Sequence, residues 1–505
     1  MPGLSRFFSP FRRDHDLRLA VLPFTTSAAP GEAAGGGGAQ GEETSGEETP
    51  GEETQGEGTF GAGLADELIA LLTRNPALHV IGPLSARDLA QRTREPGDAH
   101  RELEADLVLL GHATRSDEEL TIEVRLLSAP EGAERWSARW ALRPDEVFVI
   151  LGELAAGVAA ALGASTAASA ATLVHREPTS DPRAFELYAK GRVLLATPDA
   201  ARLRAAVMAF ETALEHDELF AGATAAIAEV YRTAHELHLP LDREAPLAAI
   251  RRIAEESLAL DEGLPGAHVS LAYADLHAWE LSAGEARLRR ALQIAPGHAQ
   301  AHRDLARVLL YRGDVSGAMA AGDTALALEP LSAAVVNESG IPHAIAGRPE
   351  QAMERSRRVV RRDPENAMAY FHLGRYAEQL GRHGEAVTYY RAAAELSSRV
   401  PYLTAFLGMA LASLGDRQEA EDIAGDLERK ARRGSAVATC LGVLLLRLHR
   451  MDEGVSWLTS ALEMQEMQLL MLDTPWLPLR ESAGDPRVRA LLERVRAVVR
   501  IDARP

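Results

Sequence analysis

At 505 residues the chain is too long for one hydrophobic core, and 46% hydrophobic with 25% charged residues is the composition of an ordered protein. A net charge of −19 excludes a phosphate backbone as the main partner, because nucleic-acid binding wants a basic face. The single cysteine, Cys440, excludes a disulfide framework or a cysteine-built metal site within one chain.

Residues 1–16 carry Arg6, Arg12 and Arg13 among Phe7, Phe8 and Phe11, without the apolar run of a secretory signal, and read as a flexible tail. No run approaches the roughly 18 apolar residues that span a bilayer, so the sequence points to a cytoplasmic protein without a transmembrane segment. Lysine occurs only at 190 and 430 while arginine is plentiful, the codon bias of a high-GC bacterial genome.

Residues 17–163 alternate strands and helices. Leu19-Ala20-Val21-Leu22, closed by Pro23, is a buried strand. Leu64, Leu68, Leu71 and Leu72 share one helical face, with Asp66 and Glu67 in the first turn. Leu78 to Ile81 gives a second strand, stopped by Gly82-Pro83, and Ser85 is placed to cap a short helix. An apolar strand from Leu107 to Gly111 follows. Leu120, Ile122, Val124 and Leu126 alternate with polar residues, as do Trp136, Ala138, Trp140 and Leu142. A helix capped by Asp145 closes this α/β domain with Val147, Leu151, Leu154, Val158 and Leu162 at helical spacing. Residues 31–59 interrupt it with five-residue Gly-Glu-Glu-Thr repeats. Seven glutamates and no basic residue between Gly41 and Glu57 make this a disordered acidic insert in the first loop. Thr44, Thr49 and Thr54 offer phosphorylation sites there, against a plain solvated loop as the ordinary reading.

After a linker at 164–180, residues 181–470 carry a repeat with a period of 34. A small residue recurs at Ala272, Ala306, Gly340, Gly374, Gly408 and Gly442. Leucine precedes it at 271, 305, 373, 407 and 441, with Ser339 as the exception. Twelve residues on come Gly284, Ala318, Ala352, Ala386, Ala420 and Gly454. Gly313, Gly347, Gly381 and Gly415 mark turns within units, and Pro296, Pro330 and Pro364 mark turns between them. Small residues let two helices cross closely, and leucines fill the seam. Two looser units precede these, one with Gly191, Ala206, Phe210 and Ala213, the other with Ala228, Tyr231, Ile250, Ala254 and Ser257. The pattern is that of about eight tetratricopeptide repeats. The expected fold is an α/β N-terminal domain followed by an all-α tetratricopeptide superhelix, an α-solenoid, closed by capping helices at 471–505 around Trp476, Leu479, Leu491 and Leu492.

Leu19 to Phe24, Phe60 to Leu68, and Leu109 to Ala113 together resemble the TolB-amino-terminal-like (FlgO-like) domain. Asp181-Pro182, Tyr188 and Gly191 resemble the junction after it in bacterial proteins that carry an adenylate cyclase, a winged-helix regulator or a serine/threonine kinase upstream. Only some sixteen residues precede the first strand here, and the acidic insert departs from the pattern. The resemblance therefore implies the regulatory, protein-binding half alone.

Apparent catalytic strings fail on context. His302-Arg303-Asp304-Leu305 begins like a kinase catalytic loop, but Leu309 stands where the asparagine belongs. His235-Glu236-Leu237-His238 is one residue short of a zinc-protease signature and has no third ligand. Gly35 to Gly38 lacks the Lys-Ser/Thr of a phosphate loop, and Asn337-Glu338-Ser339 is a formal glycosylation site within a helix. The expectation is a protein without enzymatic activity or cofactor.

First helices of tetratricopeptide units line a groove that takes peptides. Resemblance to such modules places Arg303, Arg307, Tyr311, Asn337, Phe371, Arg375 and Tyr402 on that groove, against a bland reading as solvated groove residues. The expected function is an adaptor or regulatory scaffold binding a protein or peptide, with a kinase, cyclase or transcription regulator implied as partner. A cell-envelope assembly factor and an enzyme at the domain interface stand as alternatives. The pattern leaves the oligomeric state open.

Overall fold

The computed structural model describes residues 17–28, 50–115, 119–143, 146–162, 179–239, 241, 246–433 and 435–502. The N-terminal tail, residues 29–49 with the first part of the acidic tract, Asp145 and most of the linker lie outside them. The chain divides into two compact units. The first holds residues 1–271 with 290–299 and 328–331; the second holds 272–289, 300–327 and 332–505.

In the first unit a sheet runs β3-β1-β4-β5-β6, with β2 also paired to β4. Its strands are β1 (Arg18–Val21), β2 (Thr25–Ala28), β3 (His79–Val80), β4 (Leu107–Arg115), β5 (Leu120–Ser128) and β6 (Glu134–Leu142). β1 pairs in parallel with β3 and β4, and β5 and β6 add antiparallel. Pro23 has no N–H to give a ladder and divides β1 from β2. Side chains alternate across the strands as the sequence predicts. One face packs Leu19, Leu109, Ile122, Val124 and Leu126 under α1 (Pro50–Leu72) and α4 (Val147–Ala161). The other packs Ala20, Leu22 and Val108 under α2 (Pro83–Ala90) and α3 (Pro96–Leu103).

Two details depart from expectation. α1 starts at Pro50, so the last ten residues of the acidic tract continue a helix. Proline fits a first helical turn, and glutamate is a good helix former. Ser85 is not the cap of α2, which starts two residues earlier after Gly82. A carboxylate caps it instead: Glu329 accepts the amides of Leu84 and Ser85 at 3.1 and 2.7 Å. The Ser85 hydroxyl accepts the amide of Leu331 at 3.0 Å.

Helices pair from residue 182 onward: α5 (Pro182–Ala196) with α6 (Ala200–His216), then α7 (Ala221–Glu236) with α8 (Pro246–Leu260). Asp181 caps α5 through the Ala184 amide, and Pro182 takes its first turn. A methyl on Gly191 would fall 2.4 Å from the Phe210 ring, so α5 and α6 meet there as the small-residue rule requires. Phe185 of α5 is fully buried in the core that α1 and α4 share with the sheet. His235 and Glu236 close α7.

The pairing continues with α9 (Pro265–His277) and α10 (Leu281–Ile294), α11 (Ala299–Tyr311) and α12 (Val315–Leu328), and α13 (Ala333–Ile345) and α14 (Pro349–Arg362). It ends with α15 (Ala367–Gln379) and α16 (His383–Leu396), α17 (Pro401–Leu414) and α18 (Arg417–Ala431), and α19 (Ala438–Arg447) and α20 (Met451–Glu463). Gly313, Gly347, Gly381 and Gly415 turn each pair at φ between +73° and +87°. Trp279 and His449, one period outside them, take the same left-handed conformation at +61° and +63° without glycine.

After α20 the chain forms short 3-10 turns at Met467–Met471 and Arg480–Gly484, then α21 (Pro486–Asp502). Glu466 caps α19, accepting the amides of Ala438 and Thr439 at 2.9 and 2.7 Å. Among the described residues no helix is long and apolar enough to cross a membrane.

Candidate functional site

Two clusters in the second unit hold five of the seven residues expected to line a groove, Arg303 and Arg307 in one and Phe371, Arg375 and Tyr402 in the other. In the first, Arg303 and Arg307 of α11 face Glu338 of α13. Arg307 holds Glu338 at 3.0 Å, and Arg303 lies 3.7 Å from the same carboxylate. Buried Asp304 stands 3.6 Å from both guanidinium groups. These arginines and Glu338 border a cavity of about 40 Å³, closed by Ala306, Val335 and Pro342. That is space for a few waters. Asn337 is buried rather than presented to solvent, and its Oδ1 has no hydrogen-bond partner among the described residues.

The second cluster forms around a side chain that sequence reading assigned to the cap. After α20 the chain folds back so that Leu472 and Leu477 bridge, with the Asp473 amide donating to the Leu477 carbonyl at 2.9 Å. Thr474 organises the tip: its hydroxyl donates to the Met471 carbonyl at 2.6 Å and accepts the Trp476 amide at 3.2 Å. The indole of Trp476 is thereby inserted among residues of α15. Its ring lies 5.6 Å from His372 and 6.2 Å from both Phe371 and Tyr376.

Arg375 is the centre of this arrangement and is 1% exposed. Its guanidinium lies between two rings, 5.0 Å from Phe406 and 5.1 Å from Trp476. It donates to the carbonyls of Trp476 and of Pro475, the latter at 3.3 Å, and Gln379 donates to Pro475 at 3.0 Å. Its other edge holds Glu378 at 2.5 Å, which also binds Arg447 at 2.9 Å and Tyr390 at 3.1 Å. Burial opposes the charge on Arg375, but Tyr390 and Glu378 outweigh it and raise its pKa. Burial and then Arg375 push His372 down to about 3, so its imidazole is neutral against the indole.

Tyr402 of α17 packs at a tilt against Phe371, ring centres 5.2 Å apart, and hydrogen-bonds the Trp476 side chain. The structure thus groups Phe371, Arg375 and Tyr402 around one tryptophan and keeps Arg303 and Arg307 in a separate charged seam whose charges act on Tyr311, while the Asn337 main-chain carbonyl accepts from the Tyr376 hydroxyl at 3.4 Å. Sequence reasoning missed Trp476, His372, Tyr376 and Gln379. A Thr-Pro-Trp tripeptide in a stretch without periodicity carries no sign of the helix, some hundred residues earlier, that it meets.

The arrangement holds a segment of the chain's own polypeptide: main-chain carbonyls meet an arginine and a glutamine, and an aromatic side chain fills a pocket walled by rings. Its frame is the helix-pair repeat. The tetratricopeptide repeat family matches residues 346–401. That stretch runs from the turn before α14 through α15 and α16 to the start of α17, and so carries Phe371 and Arg375.

The chain is similar to several solved tetratricopeptide structures. PilF of Pseudomonas aeruginosa is 25% identical over 41% of this chain and 97% of its own, with a TM-score of 0.31. A tetratricopeptide protein of Thermus thermophilus is 18% identical over 39% of this chain and 97% of its own, at 0.31. A chain of the APC/C Cut9–Hcn1 hetero-tetramer is 16% identical over 62% of this chain and 55% of its own, at 0.43. No curated protein matches the chain.

Proposed function

We propose that this protein is a non-enzymatic adaptor or regulatory scaffold whose tetratricopeptide array holds a partner polypeptide on the face formed by α11, α15 and α17. One observation carries the reading. Three of the seven residues expected on that face, Phe371, Arg375 and Tyr402, meet a segment of polypeptide, Pro475-Trp476, and with Gln379 and His372 contact it as a peptide is contacted, through its carbonyls and one aromatic ring. The likeness of residues 17–163 to TolB-amino-terminal-like domains supports a regulatory role, with a signalling or transcription protein as the partner. It is the sequence resemblance alone that supports this finer part.

The test is a photo-reactive phenylalanine analogue at Tyr311 in the full chain, expressed in cells of the source organism. Met208, 67% exposed on α6, is the control position. Adducts with another protein from Tyr311 and none from Met208 are expected. Adducts from Met208 alone, or from neither, contradict the proposal.

A further inference from the structure

We propose that the Leu472–Leu477 turn is an in-cis ligand of the array, a plug that an incoming peptide turn with an aromatic side chain displaces. This deepens the reading above and rests on it.

The contacts of the plug define what would replace it. Arg375 and Gln379 donate to two consecutive main-chain carbonyls, so they read backbone and accept any residue there. The rings of Phe371, His372 and Tyr376, with the Arg375 guanidinium, surround the indole of Trp476, so they demand an aromatic side chain at the second position. Nothing in this set recognises a charge on the ligand. The guanidinium is already committed on its other edge to Glu378.

The segment is anchored at its ends, and its tip seats Leu472, Trp476 and Leu477, all buried. Glu466 caps α19, and Leu469, Leu470 and Leu479 are buried. Between α20 and α21 no regular element exceeds five residues. The amides of Leu472, Asp473, Thr474, Trp476 and Leu477 all bond within residues 469–477, so the turn carries its own hydrogen bonds; Asp473 takes a left-handed φ of +60°, and Pro475 is exposed. Because none of those amides bonds the helices beneath, the turn can leave as a unit while α15 and α17 stay folded. Its departure also leaves a buried guanidinium without two carbonyls, which an arriving peptide restores. A tethered plug competes at high effective concentration, so a free peptide sees the site only in the fraction of molecules whose plug is out.

The probe is a fluorescein-labelled peptide with the sequence of residues 471–479, beside its Trp→Ala counterpart. Each is titrated against the wild-type full chain and against the Pro475→Gly/Trp476→Ala full chain. The variant is expected to bind the tryptophan peptide at least tenfold more tightly than the wild type does, and to ignore the alanine peptide. A variant that melts like the wild type yet binds neither peptide overturns the proposal. A wild type that dimerises with concentration, while the variant stays monomeric and ignores the peptide, also overturns it, because a second copy is then the occupant.

Should the variant not fold, hydrogen exchange on the wild type decides. Amides of 473–477 exchanging at least tenfold faster than those of α17 and α19 support displacement, and exchange only with global unfolding refutes it. Partner adducts at Tyr311 with no peptide binding would sink the plug and leave the adaptor reading standing.

Discussion

Glu329 shows how much one side chain decides that its residue type does not announce. Burial, against hydrogen bonds from Ser85 and the Leu84 and Ser85 amides, pushes its carboxyl up from the usual 4.5 to about 7. Below pH 4.5 the folded and unfolded chains both carry the proton, and the contact contributes in full. As pH rises toward 7 the unfolded chain releases its proton first, so the stability of the first unit falls, by about 3 kcal/mol in the limit. Glu329→Gln is neutral throughout and is expected to abolish that slope, read as melting temperature between pH 5 and pH 8. An unchanged slope contradicts the assignment. The sequence shows a glutamate before a proline at a repeat boundary, and Ser85 is the residue that looks like a cap. Only the fold brings the two together.

At the scale of elements the 34-residue period was legible because close helix crossing and left-handed turns each restrict residue type. The turn glycines illustrate the second restriction alone. A methyl on Gly347 would meet nothing within 4 Å, so glycine is there for its φ of +80°. His449 holds the equivalent conformation while exposed to solvent. Gly347→Ala is expected to cost about 1–2 kcal/mol, and His449→Gly to stabilise by about 0.5–1 kcal/mol, both from denaturant midpoints. Equal effects of the same sign would contradict this reading of the turn. Pattern was silent where elements are short or irregular. α3 has too few turns to show a period, and α1 enters a low-complexity tract whose composition signals disorder.

For the molecule as a whole, the fold class followed from alternation over residues 17–163 and periodicity after 181. The candidate site followed only in part. Phe371, Arg375 and Tyr402 were placed by repeat position, which fixes the face of a helix but not what covers it. Arg303 and Arg307 were placed the same way, yet α13 supplies a carboxylate that engages them. Repeat position therefore locates a surface, and the charges and segments packed on it decide whether it is open.

The central claim is that this surface binds another polypeptide. It is tested most directly by hydrogen exchange of the full chain alone and with the protein captured at Tyr311. The account predicts slower exchange in α11, α15 and α17 on binding, with faster exchange at 473–477 as the turn leaves. Protection confined to residues 17–162, with α15 and α17 unchanged, would contradict it.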